Sequence, residues 1–125
     1  MIENYEQDEN TRRLRYLIRR YKRRPKIMES KERKSLSLLI SQVLPEWTEK
    51  ENFLNRDFKF NDFTSAFSFM SEVALACEEL DHHPNWENTY NLVRVNLQTH
   101  TSSSITDKDL DLAKRMDLIY LKFSS

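Results

Sequence analysis

All three histidines of the chain fall within one stretch, EELDHHPNWENTYNLVRVNLQTH, residues 78–100. Imidazole titrates near pH 6.5, so it gives or takes a proton at neutral pH at little cost. His82 and His83 are adjacent and precede Pro84, while His100 closes a run that alternates like a strand. Three chemistries compete for such a cluster. Zinc binding is the first, but neighbouring side chains on extended backbone point in opposite directions. No CxxC or HExxH spacing accompanies the pair, and no metal ligand set is expected. Structural histidines are the second reading, an ordinary one for a single ring. General acid–base chemistry is the third. A reaction that protonates a leaving group and deprotonates a neighbouring atom needs two such groups facing one site. His82 or His83, leaving a helix, and His100, at a strand end, can converge on one. Glu78 and Asp81 are near enough in sequence to orient rings and raise their basicity. No Ser-His-Asp or Cys-His arrangement is evident. The pattern points to proton transfer without a covalent intermediate.

Elements that can position these groups follow from periodicity. Phe63, Ala66, Phe67, Met70, Val73, Ala74 and Cys77 share a helical stripe over residues 62–80, capped by Asn61 or Asp62. Such a stripe reads as core or subunit interface, with Cys77 a small buried hydrophobe. Pro84 disfavours helical geometry at His83 and is expected to end this helix. Trp86–Tyr90 reads as a strand and Asn91 as a turn, after which Val93, Val95, Leu97 and Thr99 alternate with polar residues. Upstream, a helix from about Ser30 carries Leu36, Leu39, Ile40 and Val43. Strands follow at roughly Glu46–Glu51 and Leu54–Phe60, with a turn near Glu51–Asn52–Phe53. Downstream, Thr106 and Asp109 have the spacing of a capping box, before a helix with Leu112, Ala113, Met116, Ile119 and Phe123 inward. The expected architecture is α+β: a four-stranded antiparallel sheet with helices packed on one face, in the order α-β-β-α-β-β-α, plus a basic N-terminal extension.

Composition sets limits on the rest. A chain of 125 residues is one domain's worth, and glycine is absent. That excludes glycine-rich phosphate loops and leaves the turns to Asn, Asp, Ser or Pro. The single cysteine, Cys77, has no internal partner. With an acidic start unlike a leader peptide and no long apolar run, the expectation is a cytoplasmic protein, a nuclear location remaining open. Net charge is zero but divided: residues 1–36 hold 12 basic and 6 acidic side chains, residues 37–125 hold 8 and 14. We read residues 1–27 as a basic arm and 28–125 as the domain. Leu14, Leu17, Ile18 and Tyr21 allow a short helix in the arm. Its basic run 12–26 suits nucleic acid, an anionic membrane or a protein partner. The plainer alternative is an extension packing its apolar residues on the domain or on another subunit.

Taken together, Glu78, three residues, His82-His83-Pro84, five residues, Tyr90, nine residues, His100, eight residues and Asp109 form a pattern. It resembles the signature of the pterin-4a-carbinolamine dehydratases, with similarity over about residues 30–122. The resemblance implies dehydration of 4a-hydroxytetrahydrobiopterin to quinonoid dihydropterin, a step of tetrahydrobiopterin recycling. It implies His82 and His100 as the acid–base pair, with His83 holding the pterin. Glu78 and Asp81 would orient imidazoles, and Gln98, Thr99 and Thr101 would line the pocket. Trp86 would wall the flat ring and Asp109 would stand at the last signature position, each with a plain structural role as its alternative. No cofactor is implied, because the pterin is the substrate. Homodimers or homotetramers are implied, built through helix 62–80 and sheet edges. Some relatives have coactivator or assembly roles on the same scaffold. Relatives commonly carry glycine after His100, where this chain has Ser102-Ser103-Ser104; a serine forced to positive φ there costs about 1 kcal/mol.

Overall fold

The computed structural model describes residues 8–123, so the segments 1–27 and 28–125 extend beyond the described residues at both ends. The elements are α1 (Glu9–Tyr21), a 3-10 turn (Pro25–Ile27), α2 (Ser30–Val43), β1 (Thr48–Lys50), β2 (Phe53–Lys59), α3 (Phe63–Leu80), β3 (Asn85–Thr89), β4 (Leu92–Leu97) and α4 (Asp107–Tyr120). The strands form one antiparallel sheet in the order β1-β2-β4-β3. This is the α+β architecture expected from the periodicities.

Alternation along β4 decides the sheet's two faces. Val93, Val95 and Leu97 are fully buried, while Arg94 and Asn96 face outward. Phe58 of β2 centres an aromatic cluster, its ring 4.7 Å from Phe69, 5.0 Å from Tyr120 and 5.9 Å from Trp47. Burying rings of this size supplies much of a small domain's hydrophobic stabilisation. One inward position of β2 is charged. Arg56 lies over the Phe58 ring and donates to Asp117 at 2.6 Å, and the indole N–H of Trp47 donates to the same carboxylate oxygen at 2.8 Å.

The expected stripe on α3 divides in two. Ala66, Phe69, Val73, Ala76 and Cys77 face the core, whereas Phe63 and Phe67 are 48% and 56% exposed. At 3.6 residues per turn, the Phe63–Phe67–Ala74 line lies roughly 100° round the helix from the buried one. Met70 sits between the two and packs at the core's edge.

Without glycine, five of the described residues take positive φ: Glu51, Asn52, Asp81, Tyr90 and Ser103. Asn, Asp and Ser are the types expected there, but Glu51 and Tyr90 are not. Both sit in short connections clamped by ladder pairs, Lys50↔Phe53 on one side and Thr89↔Leu92 on the other. Pairing on each side overrides the residue's own preference.

The basic run 12–26 is structured where it coincides with α1. Leu14, Ile18 and Tyr21 are buried in the same core cluster as the sheet residues. Arg15 bonds to Asp107 at 2.5 Å and to Asp111 at 2.9 Å, both on α4. Among the described residues, no helix is long and apolar enough to cross a membrane.

Candidate active site

The exit from α3 places His82. Asp81 adopts the left-handed conformation (φ 52°, ψ 49°), its N–H donates to Glu78 O, and the next N–H, of His82, donates to Cys77 O at 3.0 Å. These paired bonds form a Schellman closure, with aspartate where glycine usually stands. The helix therefore ends at Leu80, ahead of Pro84. Backbone reversal at Asp81, rather than the proline, stops it.

This closure turns His82 inward. The residue is 8% exposed, and its Nε2 lies 2.6 Å from Oδ1 of Asp109, a fully buried carboxylate at the start of α4. The other oxygen, Oδ2, accepts from the Thr99 hydroxyl at 2.8 Å and from the Thr106 N–H at 2.8 Å. Proton positions follow from the partners. Thr99 spends its only hydroxyl proton on Asp109, so the Thr106 hydroxyl donates to Thr99 Oγ1. With Asp109 accepting throughout, it is Nε2 of His82 that carries a proton toward the carboxylate.

Asp109 thus has two roles. It closes the capping box with Thr106, as the spacing predicts, and it orients His82. Expected among the substrate-contacting residues, it is instead sealed beneath the histidine. Asp81, expected to orient an imidazole, contributes backbone: its carbonyl accepts from Lys108 Nζ at 3.2 Å. Glu78 does meet a ring, with its Oε2 lying 3.1 Å from Nε2 of His83, and both side chains are exposed.

The second half of the signature lies on the β3–β4 hairpin. The ladder's last pair is Asn85↔Asn96, just past His83 on one strand and just before Gln98, Thr99 and His100 on the other. β4 ends at Leu97, short of Thr99, which instead bridges to Ser104 across a turn holding an exposed His100. His82 and His100 are therefore joined by a short path: His100 follows Thr99, Thr99 bonds Asp109, and Asp109 bonds His82. Gln98 donates to the Asn52 carbonyl at 3.1 Å, tying the end of β4 to the β1–β2 turn. Trp86, half-buried on edge strand β3, packs at the core margin. Ser103, next to this turn, has φ 51°.

A cleft of about 550 Å³ opens beside the threonines of this network. Thr99, Thr101, Ser102, Thr106, Asp107 and Lys108 line one side, and Ile18, Arg19, Lys22 and Arg23 of α1 and its end line the other. Of the three residues expected to line a pterin pocket, Thr99 and Thr101 border this cleft and Gln98 does not; the α1 wall was not expected. The apolar spacing in α1 announced a helix without saying where it would dock.

Cys77 is buried, which pushes its thiol above the usual range and makes it a poor nucleophile. Among the described residues, no group of three or more His, Cys, Asp or Glu is placed to hold a metal ion.

The arrangement is thus a helix-covered antiparallel sheet with a carboxylate-held histidine between α3 and β3. Residues 27–119 match the family model described as pterin 4 alpha carbinolamine dehydratase, and the chain belongs to this family. A relative from Prochlorococcus marinus (strain MIT 9515), provisionally named a pterin-4-alpha-carbinolamine dehydratase, is 41% identical over 79% of this chain and 99% of its own length. A similarly named protein of Synechococcus sp. (strain WH7803) is 42% identical over 64% of this chain and 86% of its own. Among solved structures, the transcriptional coactivator/pterin dehydratase of Brucella melitensis superposes with a TM-score of 0.64 at 38% identity, covering 74% of this chain and 96% of that one. A pterin dehydratase-like RuBisCO assembly factor of the alpha-carboxysome shares the fold, with a TM-score of 0.50 at 23% identity, over 59% of this chain and 86% of its own.

Proposed function

We propose that this protein dehydrates a 4a-hydroxytetrahydropterin, in tetrahydrobiopterin recycling, by histidine acid–base catalysis. The supporting observation is the buried His82–Asp109 pair, whose two carboxylate oxygens meet three partners, His82, Thr99 and Thr106. The reaction breaks the C4a–O bond and forms a double bond between C4a and N5. One proton must reach the departing hydroxyl, which leaves as water, and one must leave N5. No electrons are gained or lost, so no redox cofactor is required.

In this reading His82 exchanges its proton through Nδ1, because Nε2 is committed to Asp109. The buried carboxylate holds the ring in one orientation. His100, exposed in the turn after Thr99, is the complementary group. His83, held by Glu78, borders the ring, with Trp86 beyond it on β3. Rapid-mixing measurements on the synthetic carbinolamine test the proposal. The wild-type protein accelerates dehydration, and a His82→Ala, His100→Ala double variant does not. Equal rates for the two sink the reading.

A binding role on the same scaffold has its own supporting observation: Phe63, Phe67 and Leu75 leave large apolar surface on α3 exposed. The Brucella relative is itself named as both a transcriptional coactivator and a pterin dehydratase. We read the α3 surface as a self-association face producing a homo-oligomer, compatible with catalysis in each subunit and with residence in the cytoplasm.

A further inference from the structure

Helix α1 lies outside the residues matched to the family, which begin at 27. It is nonetheless fixed beside the network that holds His82. Ile18 is buried in the core, Arg15 and Arg19 grip Asp107, and the Ser104 hydroxyl donates to the Lys22 carbonyl, pinning the end of α1 to the turn after His100. The volume enclosed, about 550 Å³, lies in the roughly 300–1,000 Å³ range of small-molecule sites.

Charge gives this volume a sign. Its lining holds four cations, Arg19, Lys22, Arg23 and Lys108, against one carboxylate, Asp107. Arg19 and Asp107 are bound to each other at 2.6 Å, which leaves Lys22, Arg23 and Lys108 as net positive charge. The amino end of α4 adds its dipole in the same sense, and the Thr101 hydroxyl adds a donor. Thr99 and Thr106 belong both to this lining and to the shell around Asp109. These two threonines stand between the cleft, whose lining includes neither His82 nor His100, and the His82–Asp109 pair.

We propose that α1 converts this cleft into a subsite for an anionic group, phosphate or carboxylate, on the substrate's side chain, so that the protein prefers charged pterins over neutral ones. The inference rests on the dehydratase reading and adds the class of substrate.

Titration calorimetry with three stable 7,8-dihydropterins tests it, their C6 side chains being hydroxylated and neutral, phosphorylated, or carboxylated. The full chain binds at least one charged ligand about tenfold more tightly than the neutral one, and the better of the two identifies the anion. In a Lys22→Glu, Arg23→Glu variant, whose changes lie on exposed positions, the charged-to-neutral ratio falls to one or below. Lys34→Glu, on the exposed side of α2, leaves the ratio unchanged. The advantage also shrinks as salt rises from 50 to 500 mM, values chosen to span several-fold screening. Equal affinities for all three ligands, or a ratio that survives the double reversal, overturns the subsite while leaving the dehydratase reading intact. Absence of binding by every dihydropterin overturns both.

Discussion

The Asp109 carboxylate, with no exposed surface, lies 2.6 Å from Nε2 of His82, a residue 27 positions earlier in the chain. This contact joins the exit of α3 to the start of α4 and sets which ring nitrogen is available for chemistry.

Asp109→Asn tests that assignment. An amide presents a donor on one side, which must face either the His82 N–H or the Thr106 N–H. One buried bond is lost, at about 1–3 kcal/mol of stability. Dehydration kcat should fall about 100-fold, within the range for misplacing an acid–base group, with KM changed little. A kcat within twofold of wild type removes Asp109 from the proton path.

Ser103 stands at φ 51° in the turn after His100. Ser103→Gly relieves the crowding of Cβ against the backbone in that region and should stabilise the fold by about 0.5–1 kcal/mol. Thermal melting should show Tm rising by about 3 °C. An unchanged or lower Tm shows that the turn carries no such strain.

Burial pushes the Lys114 ammonium from 10.5 down to about 8. Below pH 8 the folded and unfolded chains both carry this proton, so the cost of the buried charge is fully present and does not vary with pH. Between about 8 and 10.5 the unfolded chain binds more protons, so this group makes stability rise with pH, by at most about 1.4 kcal/mol per unit. Urea unfolding of wild type and Lys114→Met across this window isolates the effect. The difference between the two should shift in favour of wild type as pH rises, and a pH-independent difference refutes the assignment.

Removing Arg56 leaves Asp117 half-covered beside Trp47. Burial already raises the Asp117 carboxyl, against the hydrogen bond from Trp47 and the charge of Arg56. Arg56→Ala should cost about 2 kcal/mol at pH 7, and less at pH 4, where the carboxyl takes up a proton. A penalty equal at both values places the loss in packing over Phe58 instead.

Phe67→Glu introduces a charge into the exposed face of α3 without touching the core line. If that face joins subunits, sedimentation shows a smaller species with an intact far-ultraviolet spectrum. An unchanged sedimentation coefficient moves the contact elsewhere.

Much of the fold was legible because burial imposes period. Val93, Val95 and Leu97 announce a half-buried strand, and Thr106 with Asp109 announces a helix start. The active-site partner of His82 was not legible, since it depends on how α4 approaches the end of α3. Asp109 showed only its local, capping role. Arg56 breaks the inward–outward rule on β2 and was invisible until Asp117 came beside it. Positive φ at Glu51 and Tyr90 is likewise imposed by neighbouring strands, against the preference of either residue. On α3, two adjacent apolar lines merged into one stripe, because periodicity alone does not say which line meets the sheet.

The clasp of Arg15 on Asp107 and Asp111 also has a consequence for birth order. The first helix finds apolar neighbours for Leu14 and Ile18 early, in Ile40 and Leu44 of α2, but the acidic partners of Arg15 are made 92 and 96 residues after it. A nascent chain halted before residue 107 therefore carries its first two helices with that basic face still unneutralised, and should be the form that chaperones hold.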